Sequence, residues 1–520
     1  MKKKQVFINL VANIISFVIH LGISFLLTPV LIKKVGNSAY GFIGLANNFV
    51  SYANIFTIVV NSMASRFITY ETARNNSEQA NKYYSSVFFV NMVMSVFMTI
   101  ASIVMIINLN SILSIPEEIY FDVKMTFALS FANFVLSLIG SVFGMVTFIK
   151  NRLEISAIVS IIGNIIKTVI LILLFNLLPA KIYYIPLVAL IIAIYSIIVN
   201  IRITKKIAPN LNYNFNMVDK KCVIKLSKAG IWNALNSMSR ILLTGLDLLI
   251  ANLTVGADAM GILSVAKTVP NNIEGLLATI SGSFTPQFIV LYSKHKIREL
   301  VEAVNFSLKL LGVMMIVPMA GFIVCGFEFF SLWMPFKTSE EILQIQILSI
   351  LSVAPYIVSM NNFTLSSLDS VTNKLKRPVI VTIVMSIVST ITTLIFLNIT
   401  NLGIYAIAGV SSVYWIMKVA LFNTINAAVN LRIKWYSFFK SFLKNLLCFT
   451  IVMLLFSIIK RYLVFDSWKM LILSVGVLGI IGYIFSFFFL LSRKERKSVY
   501  FKMCDKLKLF NHNKTKEEFK

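Results

Sequence analysis

Apolar runs of eighteen or more residues recur from one end of this chain to the other, separated by short polar segments. A helix of that length matches the ~30 Å hydrocarbon core of a bilayer. In lipid the backbone must satisfy its own hydrogen bonds, so such runs are helical. They read as about fourteen spans, over 6–31, 42–63, 84–107, 125–148, 155–178, 182–201, 230–253, 263–288, 303–325, 342–366, 379–398, 403–428, 440–459 and 470–491. Composition agrees, with 13% of residues charged against about 25% in soluble proteins. The first run follows Met1-Lys2-Lys3-Lys4 as in a secretory signal. It continues to Ile32 without a small-x-small cleavage site and reads as a retained first helix.

The basic residues fix an orientation. Of the 48 Lys and Arg, only Lys33, Lys34, Lys124, Lys181, Lys337, Lys460, Arg461 and Lys469 fall in alternate, outer segments. Lys167, Arg240, Lys267 and Lys418 lie within spans, and the rest crowd the other side. The positive-inside bias then places both termini in the cytoplasm. It also accounts for the net charge of +27 without nucleic acid as a partner.

Several chemistries are disfavoured. Cys222, Cys325, Cys448 and Cys504 are scattered with no CxxC, and only three histidines exist. This suggests neither a metal site nor a disulfide framework, and no cofactor is expected. No GxxxxGK[ST] loop for ATP is present. The outer segments are short and carry no DxD pair, which counts against a membrane enzyme of glycan assembly such as a polymerase.

An internal repeat divides the chain. Residues 35–42 read VGNSAYGF and residues 255–262 read VGADAMGI, sharing VGxxAxG. Asn151-Arg152-Leu153 followed by Ile158-Val159-Ser160-Ile161 matches Asn373-Lys374-Leu375 followed by Ile380-Val381-Thr382-Ile383. The offsets, 220 and 222, agree. They imply two six-helix lobes inserted in the same orientation and related by an axis along the membrane normal. The expected organisation is an N-lobe at 1–201, a basic cytoplasmic connector at 202–229, a C-lobe at 230–430, two extra spans at 431–491 and a basic cytoplasmic tail at 492–520.

Polar side chains inside the spans fall on single helical faces, where they line a cavity or hydrogen-bond neighbouring helices. Span 1 aligns Asn9, Asn13, Ser16, His20 and Ser24; span 2 aligns Asn47, Ser51, Asn54, Asn61 and Ser65. Span 7 aligns Asn233, Asn236, Ser237, Arg240, Thr244 and Asp247, and span 8 aligns Lys267, Asn271, Glu274 and Ser281. At about 1.5 Å per residue, Arg240 and Glu274 sit roughly 15 and 21 Å from the inner ends of their spans, and Asp247 and Lys267 roughly 25 and 31 Å. Each pair is close enough in depth to interact. With Lys167 and Lys418, four interior cations face two carboxylates. A desolvated cation needs a partner, so such a cavity attracts an anion such as a diphosphate, for which arginine offers a bidentate fork. Asn13, Asn47, Asn54, Asn233 and Asn271 are the amide candidates beside those cations.

On these features the chain resembles the polysaccharide-repeat flippases (Wzx-type, O-antigen and capsule) of the multidrug/oligosaccharidyl-lipid/polysaccharide (MOP) exporter superfamily. The resemblance covers about residues 5–491. It rests on the 6 + 6 + 2 arrangement, the VGxxAxG turns, Leu27-Thr28-Pro29 with Val35-Gly36, Asp247 ahead of its turn, and Gly261-Ile262-Leu263-Ser264-Val265-Ala266, similar to the family's G-x-Y-S-x-A. Leu263 departs from the usual Tyr.

The resemblance implies an all-α, MATE-like integral protein of the bacterial inner membrane. It implies translocation of undecaprenyl-diphosphate-linked oligosaccharide by alternating access, with spans 13 and 14 flanking a groove for the lipid tail. Membrane lipid, a polysaccharide polymerase and glycosyltransferases are the implied partners, and a proton or sodium gradient the implied drive. His20 is then the first ion-coupling candidate, because its ordinary pKa lies near neutrality; Asp247 and Glu274 come next. A lipid II-type flippase and a MATE-type drug/cation antiporter remain open, the latter less suited to a cationic cavity.

Overall fold

The computed structural model describes residues 3–372 and 374–497. Asn373, Cys504 and most of the expected basic tail lie outside the described residues. Within them the elements are helical: α1 (Lys3–Ala73), α2 (Ser77–Ile107), α3 (Leu109–Ile112), α4 (Tyr120–Ile149), α5 (Leu153–Leu177), α6 (Tyr184–Ile207), α7 (Lys220–Thr244), α8 (Asp247–Thr254), α9 (Ala257–Ala266), α10 (Thr268–Gly282), α11 (Thr285–Ser293), α12 (Ile297–Trp333), α13 (Ser339–Val371), α14 (Lys376–Ile399), α15 (Ile404–Met417), a π-helical turn (Lys418–Asn423), α16 (Thr424–Asn430), α17 (Phe439–Lys460) and α18 (Trp468–Leu490).

Thirteen helical stretches among the described residues are long and apolar enough to cross a membrane. The first holds two spans. At 71 residues a straight α1 would run about 107 Å, over three times the hydrocarbon core. Gly36, at φ 82° and ψ 169°, breaks it; a side chain there would be strained, so glycine is required.

Contacts give the direction of each arm. On the first arm Asn9 donates to Asn151 and Lys34 to the Phe175 carbonyl, so it runs parallel to α5. On the second, Phe49 meets Phe127 and Ala64 clusters with Val146, so it runs alongside α4. α4 and α5 form a hairpin, closed by Thr147 and Ser156 hydroxyls 2.7 Å apart. The two arms are therefore antiparallel, and counting them separately gives the fourteen spans expected.

The chain packs as two compact units. Unit 1 holds residues 1–265 and 379–411. One of its cores, at the ends of α1, α2 and α4, gathers Ala64, Ile68, Tyr83, Tyr84, Val146 and Leu226. The connector expected over 202–229 is narrower than its charge suggests: α6 runs on to Ile207, and α7 begins at Lys220, where the Asp219 carboxylate caps it by accepting from the Lys221 amide. Helices continue past the apolar stretch because basic side chains are good helix formers and suit the headgroup layer. The segment between, 208–219, is tied down. Asn81 donates to the Asn210 carbonyl and accepts from the Asn212 amide, Ser85 and Ser86 accept from the Asn214 and Asp219 amides, and Tyr213 stacks on Phe88 at 4.7 Å.

Within unit 1 the repeated turns meet. Gly256, at φ 124°, turns the second copy as Gly36 turns the first. A Cβ on Gly41 would lie 2.8 Å from the Gly261 Cα, and one on Gly44 would lie 2.6 Å from the Ser264 hydroxyl. Each contacting pair is separated by 220 positions, the offset of the repeat. Residues matched by the repeat thus touch one another. Small residues are what permit such close backbone approach between helices in lipid.

Unit 2 holds residues 266–378 and 412–520. Its long axis is α12, against which α13, α17 and α18 pack. Two glycines of α12 are sockets for buried amides. Gly312 lies under Asn445 of α17, where an added Cβ would come within 2.6 Å of the side-chain oxygen; Gly326 lies under Gln346 of α13, where it would come closer still. Asn445 donates to the Leu308 carbonyl and to Asn361, so α17 is keyed to both α12 and α13.

A latch follows the last helix of unit 2. Beyond α18, the Glu495 carboxylate accepts from the Lys309 ammonium at 2.7 Å and from the Ser492 amide at 2.7 Å. Burial alone would raise the Glu495 pKa, but the Lys309 and Ser492 hydrogen bonds outweigh it and hold the carboxyl below its ordinary 4.5. A depressed carboxylate pKa contributes stability above the unfolded value, lost as pH falls through the folded one. The latch is therefore expected to hold at every pH above about 4.5 and to loosen only below it. Glu495→Gln should speed amide hydrogen exchange of residues 492–497 several-fold at pH 7. Equal protection in the variant and the native chain would show that the latch contributes nothing.

Candidate substrate path and coupling residues

The second arm of α1 separates by face. Phe42, Leu45, Ala46, Thr57, Val60 and Ala64 are buried, while Asn47, Ser51, Asn54, Ser62 and Arg66 are exposed along the other side. Spacings of three, four and eight put these on one stripe. Asn54 is partly engaged locally, accepting from the Thr57 hydroxyl at 2.6 Å. On the first arm His20 is exposed and the Lys167 ammonium of α5 acts on it electrostatically, so two candidates from distant parts of the sequence share one region. The stripe does not reach Asn9, which is buried and clamps the α4–α5 turn through Asn151 and the Glu154 amide. The Asn13 side chain lies outside the described residues.

Helix α7 carries Asn236 and Arg240 exposed one turn apart, with half-buried Asn233 donating to the Ser62 hydroxyl at 3.2 Å. The helix then stops. The Gly245 carbonyl accepts from the Tyr52 hydroxyl at 2.6 Å and from Asn48 at 3.2 Å, and helix resumes at Asp247. Tyr52 and Asn48 satisfy a carbonyl that the break frees, a need that is strict in lipid. Asp247 is buried in the first turn of α8, where the helix dipole favours a carboxylate, and accepts from the Ser411 hydroxyl at 3.3 Å.

Two further interior charges also sit at interruptions. Lys267 is the single residue between α9 and α10, and Lys418 opens the π-helical turn. π-turns inside α-helices concentrate at functional positions. Lys267 is half-buried and Asn271, one turn on, is exposed. Glu274 accepts from the Tyr356 hydroxyl at 2.9 Å. Lys418 differs from the expectation of a cavity-lining cation. It is buried in unit 2, 5.1 Å from the centre of the Trp415 ring, and it acts electrostatically on Asp369. Arg240 and Asp247 belong to unit 1, Lys267 and Glu274 to unit 2, so each pair matched by depth is divided between units.

The structure adds residues that periodicity did not single out. Asp369, at the end of α13, is buried, and one of its oxygens accepts from both Asn426 and Asn430 at 2.8 Å. Asn423 donates to Asn362 at 2.5 Å. The available signal was the run Asn423, Asn426, Asn430 on one face of an apolar span, with Lys418 two turns earlier; Asp369 itself fell beyond the expected end of span 10.

Comparison with known proteins agrees with this architecture. Over 495 residues the chain is 25% identical to the membrane protein EpsK of Bacillus subtilis (strain 168), covering 95% of this chain and 97% of EpsK. An inward-facing multidrug resistance MATE family transporter of the MOP superfamily is similar in fold at TM-score 0.64 and 12% identity, over 79% of this chain and 95% of that one. The lipid II flippase MurJ, in an inward closed conformation, is similar at TM-score 0.63 and 16% identity, over 92% and 98%. The expected all-α, MOP-type integral membrane fold is thus observed, and so is the resemblance on which it was expected. Residues 3–291, more than half of the chain, match the family described as polysaccharide biosynthesis protein, and the chain belongs to that family of multi-pass membrane proteins.

Proposed function

We propose that this protein is a carrier, not an enzyme, that moves undecaprenyl-diphosphate-linked oligosaccharide from the inner to the outer leaflet of the bacterial cytoplasmic membrane for O-antigen- or capsule-type polysaccharide. Two six-helix lobes, at 1–201 and 230–430, alternate in access, and both termini are cytoplasmic. A polymerase and glycosyltransferases act before and after it on the same glycan. The observation that carries the reading is Arg240, an exposed guanidinium in a row with Asn233 and Asn236 on α7, in a chain of the polysaccharide biosynthesis family. A guanidinium held in low dielectric is matched by a diphosphate, and amides at helical spacing suit the hydroxyls of a sugar.

Lys267 and Lys167 add positive charge along the path, with Asn47, Asn54 and Asn271 as sugar contacts. Translocation is driven by a proton or sodium gradient, with His20, Asp247 and Glu274 as coupling groups. In proteoliposomes carrying a fluorescent undecaprenyl-diphosphate oligosaccharide, Arg240→Ala is expected to slow translocation about tenfold, since a charge-assisted bidentate contact is worth about 1.5 kcal/mol or more. An unchanged rate in a correctly inserted variant would remove Arg240 from the path, and the reading with it. His20→Ala should flatten the pH dependence of the rate if His20 senses protons; a preserved profile makes it structural.

A further inference from the structure

The last two helices of unit 2 gather cations that the substrate path does not use. Over residues 432–497 the carboxylates are Asp466, in the loop at the far end of α17, and Glu495. Glu495 is already engaged by Lys309 of α12 and by the Ser492 amide. The same end carries a surplus of Lys and Arg, with Lys440, Lys444 and Arg496 among them. The Lys444 ammonium lies 3.2 Å from the Leu490 carbonyl, which the last turn of α18 leaves free, and 5.6 Å from the centre of the Phe489 ring. An ammonium has three donors, and this bond takes one. The Arg496 guanidinium lies 4.8 Å from the centre of the Phe488 ring, and its Nε has no acceptor among the described residues. Lys444 and Arg496 are thus both seated on residues 488–490, and the one carboxylate nearby is engaged elsewhere.

The surface beside these cations is apolar and exposed. Lys440, Leu443, Lys444 and Leu447 stand at positions i, i+3, i+4 and i+7 of α17 and share one face. Leu443 and Leu447 are exposed on it. On α18, Ile484 and Phe488 are exposed one turn apart, Phe488 to 61%. Just ahead of α17, Trp435 is 58% exposed, and it meets Phe439 edge-on at 5.8 Å. Tyr436 beside it is exposed too. Tryptophan and tyrosine so placed mark the headgroup level of a bilayer. Cations at a helix end, followed by exposed apolar stripes, match the two halves of a phospholipid: a charged phosphodiester and its chains. An acidic peptide or a nucleic acid would satisfy the cations and leave the stripes uncovered.

We infer that this end of α17 and α18 is a binding site for an anionic phospholipid of the bilayer, of the phosphatidylglycerol class. The Arg496 fork and the Lys444 ammonium hold the phosphodiester, arginine offering two parallel donors to its oxygens. Lys440, one turn before Lys444, adds a third charge. The chains lie on Leu443, Leu447, Ile484 and Phe488. Basic pockets between helix ends recognise anionic headgroups in this way. A bound lipid bridges α17 to the segment after α18 and so reinforces the Lys309–Glu495 latch. The site belongs to unit 2, whereas Arg240 and its asparagines belong to unit 1, and it takes its lipid whatever the cargo is.

Trp435 reports occupancy. The full chain would be reconstituted into phosphatidylcholine vesicles in which an equal fraction of either phosphatidylglycerol or phosphatidylcholine carries bromine on its acyl chains. Subtracting the emission of Trp435→Phe isolates one of the five tryptophans. The expected result is stronger quenching by brominated phosphatidylglycerol, equivalent to a selectivity of about fivefold, as a single cation at the membrane surface supplies. The selectivity should vanish in Lys444→Gln with Arg496→Gln and return in the charge-keeping pair Lys444→Arg with Arg496→Lys. It should persist in Lys205→Gln with Lys206→Gln, which removes two exposed cations from the end of α6 in unit 1. Equal quenching by the two lipids overturns the inference. So does a selectivity that survives the double Gln variant, that the charge-keeping pair does not restore, or that the Lys205 and Lys206 changes abolish equally. Relief of the quenching by a trace of undecaprenyl-diphosphate oligosaccharide would assign the site to the cargo and overturn it too. The Arg240→Ala experiment can fail without touching this result.

Discussion

Gly44→Cys with Ser264→Cys, in a chain whose native cysteines are replaced by serine, should form a disulfide on oxidation, and translocation should then fall to background and recover on reduction. The geometry sets this expectation. A Cβ built on Gly44 lies 3.7 Å from the Ser264 Cβ, and disulfides average about 3.8 Å between those atoms. The bond would join the two repeated turns at the point where residues matched by the repeat already touch. If the carrier works by alternating access, this contact must open once per cycle, and a covalent link there stops the cycle rather than slowing it. Ser264→Cys alone should be near normal, whereas Gly44→Cys alone sets a Cβ 2.6 Å from the Ser264 hydroxyl, so the reduced double variant is the reference against which the oxidised one is read. The measurement is translocation in proteoliposomes, with free-thiol titration to score the link. Full oxidation with undiminished translocation would show that the turns stay together throughout, and a cycle that parts them would fall.

A second large effect is expected at Gly312. An alanine in place of glycine favours a helix by about 1 kcal/mol, which predicts stabilisation if the site is open. It is not open. The new Cβ would lie 2.6, 2.9 and 3.0 Å from the Oδ1, Cγ and Nδ2 of Asn445, and Asn445 is fully buried. Its Nδ2 would lose its bonds to Leu308 and Asn361. Its Oδ1 already has no hydrogen-bond partner, so the amide has no alternative to fall back on. An orphaned buried amide costs about 1–3 kcal/mol and overpacking a similar amount. Together they exceed the gain in propensity, so Gly312→Ala should destabilise by about 2–4 kcal/mol. Thermal unfolding in detergent should show a clearly lower midpoint. Asn445→Ala placed in the same chain should restore much of the loss, because it removes both the clash and the orphaned amide. An additive double variant would mean that the two residues do not interact, and that α17 is held by apolar packing alone.

Both predictions concern sockets that glycine leaves open, and the sequence marked only one kind of them. Gly36 and Gly256 were legible because a turn needs positive φ and the repeat aligned them. Gly41 and Gly261 were legible as members of that repeat, but not as partners. Gly312 carried no local signal at all, since what makes it necessary is an asparagine in another span. The same contrast runs through the charged residues. Their place inside spans comes from hydropathy and period, which depend only on neighbours in the chain. Whether each faces the stripe, fills a helix break or pairs in the core does not.

What the sequence determined by itself is what a bilayer dictates locally: how many segments are long enough to cross, which side gathers the basic residues, where glycine must turn the chain, and which helix faces are polar. The tertiary structure alone decided where those helices break, at Gly245, at Lys267 and in the π-turn at Lys418. It alone brought Asp369 against Asn426 and Asn430, 57 and 61 positions away. The physical reason is that a broken helix or a buried carboxylate in lipid is tolerable only when other segments supply the missing hydrogen bonds, as Tyr52 and Asn48 do for Gly245. Those partners are chosen by packing and not by spacing along the chain.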